Sequence, residues 1–182
     1  RAVAYEMIKN KISISQEKKI IQIAKKLDMS IYSERVLYTS RIDLISSKIS
    51  SNKLLRKALI NFQRRFPKIQ KKKIKYVIIE GRDIGTVILP KADIKFFFKC
   101  NLEVAAKRRF KELKKINKDL TLGEVKKAMR IRDNLDKKRK NSPLIQAKDA
   151  VIVHTDKLKN ISGMINFMSK IIERKIKNKY GS

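Results

Sequence analysis

Two clusters of charged residues have the spacing that chemistry would need. The first is Glu80-Gly81-Arg82-Asp83-Ile84-Gly85-Thr86. Arg82 offers a planar fork of donors suited to a phosphate. Asp83 beside it can accept from a base, a sugar or another arginine. Gly81 and Gly85 let backbone approach a ligand closely. The same residues would also serve as a plain turn with a surface ion pair. The second cluster is Arg132, Asp136 and Arg139, at i, i+4 and i+7. On a helix they continue the apolar stripe of Val125, Ala128 and Met129, so a face that should stay apolar turns into Arg-Asp-Arg. Charges aligned with a core stripe suggest a helix end overhanging a polar cavity. Two arginines flanking a carboxylate there suit a sugar hydroxyl or a base. The other reading is two surface ion pairs, worth about 0.3–0.5 kcal/mol each.

These clusters need elements to hold them. Residues 76–79 are aromatic or β-branched and predict a buried strand that delivers Arg82 and Asp83 at its carboxyl end. Residues 94–98 and 150–153 predict two more strands. Continuous rather than alternating hydrophobicity predicts a parallel sheet buried on both faces and flanked by helices. Helices are predicted over 1–10, 15–27, 52–65, 101–115, 121–140 and 161–175. Pro67 is expected to end the third of these. Asn101 is placed to cap the fourth, and Thr121 with Glu124 forms a capping box for the fifth. The last carries the stripe Ile161, Ile165, Met168 and Ile172. Residues 29–38 could hold short strands, and the serine-rich 41–51 could be helix or loop. Residues 71–73 read as an exposed lysine turn and 117–120 as a loop. Strands alternating with helices give an α/β class.

The 182 residues suffice for one domain with a real core, and 42% hydrophobic residues argue against disorder. With 47 basic and 17 acidic residues the net charge is +30. That points to anionic partners, and phosphate esters satisfy it as well as RNA does. The many Lys, Ile and Asn residues also fit a gene rich in A and T, with lysines as solvated surface. A basic RNA-binding protein is the rival reading. Against it, the sequence has no Gly-aromatic RNA motif, no zinc knuckle and no heptad run, so nucleic acid is not the expected partner. A single cysteine, Cys100, excludes internal disulfides and fits a reducing cytosol. Following a phenylalanine run, it is expected to be buried at a strand end. One histidine, His154, and one cysteine do not make a zinc site. No apolar run spans a bilayer and no signal peptide is present, so a cytoplasmic protein is expected. The start at Arg1, without Met, suggests a fragment.

Taken together, the motifs resemble the bacterial cytidylate kinases. The matching residues are Glu80-Gly81-Arg82-Asp83-Ile84-Gly85-Thr86-Val87, then Pro90, Ala92-Asp93-Ile94-Lys95. They continue with Arg132-Asp133, Asp136, Arg139, Pro143-Leu144 and Asp149-Ala150. Arg1-Ala2-Val3-Ala4 is similar to the helix after that family's second strand, so the likeness covers nearly the whole chain. The resemblance implies a P-loop nucleoside monophosphate kinase fold, with residues of about 10–66 as the subdomain for the monophosphate and about 105–135 as a lid. It implies transfer of the γ-phosphoryl of ATP to CMP or dCMP with Mg²⁺, by a monomer. By the same resemblance Arg1 and Arg82 hold the CMP phosphate, and Asp83, Ser47 and Arg56 read the cytosine. Arg132 and Asp136 hold the ribose, with Arg139 near base and phosphate. Arg82 and Arg132 are the residues expected to act on the transferred group. Arg108 and Arg109 resemble the start of the mobile lid over ATP.

The chain departs from the family pattern in three places. No G-x-x-x-x-G-K-[ST] occurs, so the loop that cradles ATP phosphates is absent from these residues. With it would go the family's first two strands, and the 182 residues as they stand are expected to be inactive. The region 29–40 is shorter than in the long bacterial forms. Ala105 stands where the family often has Arg, which removes one expected ATP contact.

Overall fold

A computed structural model of the protein describes residues 1–70, 72–115, 118–158 and 160–180. Lys71 of the predicted turn, Asn117 of the predicted loop and the last two residues of the tail lie outside the described residues. The chain divides into two compact units, Arg1–Leu89 with Ile131–Ile145, and Pro90–Arg130 with Gln146–Ser182.

The first unit is helical. α1 (Ala2–Lys9), α2 (Glu17–Lys25), α4 (Ser40–Ile49) and α5 (Lys53–Gln70) surround a core of Val3, Ala4, Met7, Ile20, Ala24, Ile42, Ile49 and Leu55. A short α3 (Glu34–Leu37) and a 3₁₀ turn (Met29–Ile31) fill the region in which strands were possible. The serine-rich segment is helix, because Thr39 accepts a hydrogen bond from the Ile42 amide at 3.3 Å and so caps α4. Pro67 does not end its helix. α5 runs on to Gln70 with Pro67 buried inside it. A proline removes one amide from the ladder, and burial of its ring offsets that loss near a helix end. Lys72 and Lys73 make the exposed turn that follows.

The predicted central strand at 76–79 is not a strand. These residues pair with no neighbour among the described residues, and Ile78 is 92% exposed. Apolar, β-branched composition favours a strand only where a partner supplies the ladder. The segment leads instead into a π-helical turn over Ile84–Ile88. The Asp83 carbonyl accepts from the amides of Thr86, Val87 and Ile88 at 3.3, 2.9 and 3.3 Å. Arg64 of α5 holds the far end, donating to the carbonyls of Ile88 at 3.0 Å and Val87 at 2.9 Å. Gly81 sits close against the turn: a Cβ there would lie 2.7 Å from Ile84 Cγ1, so the Ile84 side chain would have to shift.

The second unit holds the described sheet, two parallel strands β1 (Phe96–Lys99) and β2 (Val151–His154), with Phe96 opposite Val151. Parallel pairing needs a long crossover, and α6 (Leu102–Lys114) and α7 (Leu122–Lys138) lie on it. The Asn101 side chain caps α6 by accepting from the Glu103 amide at 2.8 Å. The Thr121–Glu124 capping box is present in both directions, at 2.8 and 3.3 Å. Residues of α7 from Ile131 onward belong to the first unit.

Burial on both faces does not hold for this sheet, since Phe98 is 51% exposed. Paired strands lie edge to edge, so each face needs a layer packed on it, and a two-stranded sheet offers little for such a layer to cover. The same shortage leaves Ile161 and Ile165 of α8 (Ile161–Tyr180) 72% and 54% exposed. Cys100 is exposed, one residue beyond the end of β1.

Candidate functional site

The first unit gathers five arginines and four aspartates into one network. α7 supplies Arg132, Asp133 and Asp136, and Arg139 follows at its end. Val125, Met129, Arg132, Asp136 and Arg139 are buried or half-buried, while Ile131 and Leu135 are exposed; Ala128, expected on the stripe, is exposed as well and drops out of it. The stripe therefore does pass from apolar to charged on one helix face.

Asp136 is the centre, only 3% exposed. Its carboxylate meets Arg139 Nη1 at 2.9 Å, Arg82 Nε at 3.3 Å and Arg132 Nε at 3.9 Å. Its carbonyl accepts from the Leu144 amide at 2.8 Å, which folds the chain after α7 back over the helix end. Arg139 is locked from three sides. It donates to Asp136, to the Ser50 hydroxyl at 3.0 Å and to the Ser142 carbonyl at 2.6 Å.

Arg82 and Asp83 leave the loop in different directions. Arg82 donates from Nη1 to Asp133 at 2.8 Å. Asp83, 7% exposed, pairs with Arg56 of α5 and lies 4.0 Å from Arg139 Nη2. The fork of Arg56 also reaches the Ser50 carbonyl at 3.0 Å. On α4, Asp43 Oδ1 forms ion pairs with Arg1 Nη2 at 2.8 Å and with Arg132 Nη1 at 3.5 Å. Arg1 further donates to the Leu37 carbonyl at 3.2 Å and lies 4.0 Å above the Tyr38 ring.

Electrostatically the site is crowded with cations. Burial pushes the Arg132 guanidinium below its ordinary value, repulsion from Arg82 adds to that, and Asp43 and Asp136 oppose it. Arg139 is lowered in the same way, by burial and then by Arg56, against Asp136 and Asp83. Guanidinium groups stay charged under such pressure, so the cluster favours an incoming anion. Ser47 is 7% exposed, and its hydroxyl finds no hydrogen-bond partner among the described residues. A buried hydroxyl without a partner is costly unless a ligand or water supplies one.

The structure thus brings Arg1, Ser47, Arg56, Arg82, Asp83, Arg132, Asp136 and Arg139 into one unit. Arg108 and Arg109 lie in the other. Arg108 donates to the Thr155 carbonyl at 2.9 Å at the end of β2, and Arg109 pairs with Glu112 at 3.0 Å. Sequence reasoning missed Asp43, Ser50 and the part played by Asp133. A signal for the first two exists: Asp43, Ser46, Ser47 and Ser50 recur at i, i+3, i+4 and i+7, a polar stripe along one helix face.

A family model described as cytidylate kinase matches residues 1–174. A cytidylate kinase of Bartonella tribocorum is 35% identical over 158 residues, covering 87% of this chain and 72% of its own. One from Fusobacterium nucleatum is 32% identical over 185 residues, with 96% and 82% covered. One from Rickettsia rickettsii is 33% identical over 180 residues, with 97% and 77% covered.

Proposed function

The chain belongs to the cytidylate kinase family, and on that premise we propose that its Arg–Asp cluster holds CMP or dCMP as acceptor of the γ-phosphoryl of ATP. The products are ADP and CDP or dCDP. Family membership makes it a transferase of the nucleoside monophosphate kinases, and helices with a small parallel sheet are consistent with that fold.

The observation that carries the reading is the convergence of Arg82, Arg132 and Arg139 on the buried carboxylate of Asp136. Phosphoryl transfer asks the protein for position and charge more than for covalent chemistry. In this reading Arg1 and Arg82 hold the acceptor phosphate. Arg132 with Asp136 holds the ribose, and Arg139 sits near base and phosphate. Arg82 and Arg132 also stabilise charge on the transferred group. The cytosine amino group donates to Asp83, while Arg56 and Ser47 donate to the ring acceptors. Uracil would turn an acceptor oxygen toward the Asp83 carboxylate, which disfavours it.

The phosphoryl donor is MgATP. Among the described residues no three metal-ligating side chains come together. Asp43, Asp83, Asp133 and Asp136 are all engaged by arginines. These residues do not make a cation site, and the ion is read as arriving with ATP. In the second unit Arg108 and Arg109 are the proposed donor contacts. Residues of about 10–66 form the monophosphate subdomain and about 105–135 the lid. Because no G-x-x-x-x-G-K-[ST] occurs in the 182 residues, they alone should bind nucleotide without turnover. The reading is of a cytoplasmic monomer. Among the described residues no helix is long and apolar enough to cross a membrane.

Calorimetric titration of the chain with CMP, dCMP, UMP and AMP, beside an assay for ADP release, tests this. CMP and dCMP should bind best, with no ADP release from these residues alone. Equal binding of all four, together with RNA binding that weakens steeply with salt, would overturn the reading and assign the +30 charge to nucleic acid.

A further inference from the structure

We propose that Asp43 is a positioning residue of the acceptor site: its carboxylate is the shared counter-ion that lets Arg1 and Arg132 stand together before one anion. The proposal rests on the reading of this cluster as a CMP site.

Arg1 and Arg132 lie far apart in the sequence and carry like charge. One oxygen, Asp43 Oδ1, lies 2.8 Å from Arg1 Nη2 and 3.5 Å from Arg132 Nη1. The Asp43 side chain is 16% exposed, so solvent screens this bridge only in part. It stands in the first turn of α4, where the helix end favours a negative charge. Arg1 has two other restraints, the Leu37 carbonyl and the Tyr38 ring. Arg132 has fewer: its other carboxylate contact is Asp136 at 3.9 Å. Among the charges that oppose the lowering of Arg132, Asp43 ranks ahead of Asp136, and Arg1 acts against both.

A carboxylate cannot itself grip a phosphate. Asp43 therefore acts through the two arginines, by holding their forks at a fixed separation and offsetting their repulsion. Without it the pair is free to splay apart, and contact with the phosphate end of the nucleotide weakens while contact with the base does not.

The experiment compares CMP with cytidine, which lacks the phosphate, by calorimetry on the chain and its variants. Wild type should bind CMP more tightly than cytidine and more tightly than AMP. In Asp43→Asn the CMP-to-cytidine affinity ratio should fall by about tenfold, with cytidine affinity unchanged. Asp43→Glu, which restores the charge, should recover most of the ratio. If Asp43→Asn does not fold, Asp43→Ser takes its place in the comparison. A wild-type ratio in the uncharged variant overturns the proposal, as does equal loss for CMP and cytidine or failure of Asp43→Glu to recover. A wild type without preference for CMP over AMP overturns the CMP reading itself and the role of Asp43 with it. A preserved preference with an unmoved ratio removes Asp43 alone.

Discussion

Arg139 reaches the Asp136 carboxylate at 2.9 Å, and both side chains are 4% exposed. Breaking a buried pair from one side leaves an uncompensated charge, which is far costlier than removing both partners. Asp136→Asn should therefore destabilise the protein by about 3 kcal/mol, read as a lower midpoint in denaturant at unchanged slope. Arg82 and Arg132 lose the same partner, so CMP binding should fall as well. A variant as stable as wild type would show that the buried arginine finds other acceptors, and that Asp136 is not the centre of the network.

Gly81→Ala tests the entry to the π-helical turn. The added methyl would sit 2.7 Å from Ile84 Cγ1 and 3.1 Å from Ile84 Cδ1, so one of the two must shift. Overpacking of this kind costs about 1–3 kcal/mol. The strain falls beside Asp83, whose carbonyl anchors the turn. Thermal unfolding should show a lower midpoint, and CMP affinity should drop with it. Unchanged stability would mean that the Ile84 side chain swings clear at no cost.

The charged stripe of α7 is legible in the sequence because its signal is local. A period of 3.6 puts Arg132, Asp136 and Arg139 on the face of Val125 and Met129 without reference to the rest of the chain. The capping box at Thr121 and the cap at Asn101 are legible for the same reason. What local pattern could not supply was a partner. Residues 76–79 have strand composition, yet a strand exists only as one side of a ladder, and Ile78 stands 92% exposed. The α8 stripe has the right period, but Ile161 and Ile165 have little to pack against. Asp43 and Ser50 stayed hidden because helix and loop were both open for 41–51, and their face is defined only once the segment is helical.

Thr121→Ala removes the acceptor for the Glu124 amide, 3.3 Å away, and the hydroxyl that donates to the Glu124 carboxylate at 2.7 Å. Loss of an N-cap costs about 1 kcal/mol. The hydroxyl bond is the first cause that holds the Glu124 carboxyl below its ordinary value of 4.5, with the Thr121 amide second. Carbon-detected titration of Glu124 should thus show its midpoint rise toward 4.5 in the variant. A midpoint that does not move would mean that the box is not closed in solution.

Lys95 of the second unit has a side chain only 7% exposed, and its ammonium donates to Asp149 at 2.8 and 2.9 Å and to the Pro90 carbonyl. That bond is the leading cause holding the Asp149 carboxyl below its ordinary value of 3.8. A carboxyl lowered on folding contributes stability above its unfolded value and loses it as pH falls through the folded one. The contribution is therefore complete at neutral pH, begins to fall near 3.8 and is gone once pH has passed through the lower folded value. Asp149→Asn should lower the unfolding midpoint at neutral pH, where the buried ammonium loses its charged partner and keeps neutral acceptors alone. It should also flatten the decline in strong acid, because the group that titrates there is gone. Unfolding midpoints for both proteins across the acid range check this. Parallel curves for the two would show that the Lys95 pair takes no part in acid unfolding, and that the start of β1 is held by its ladder with β2 instead.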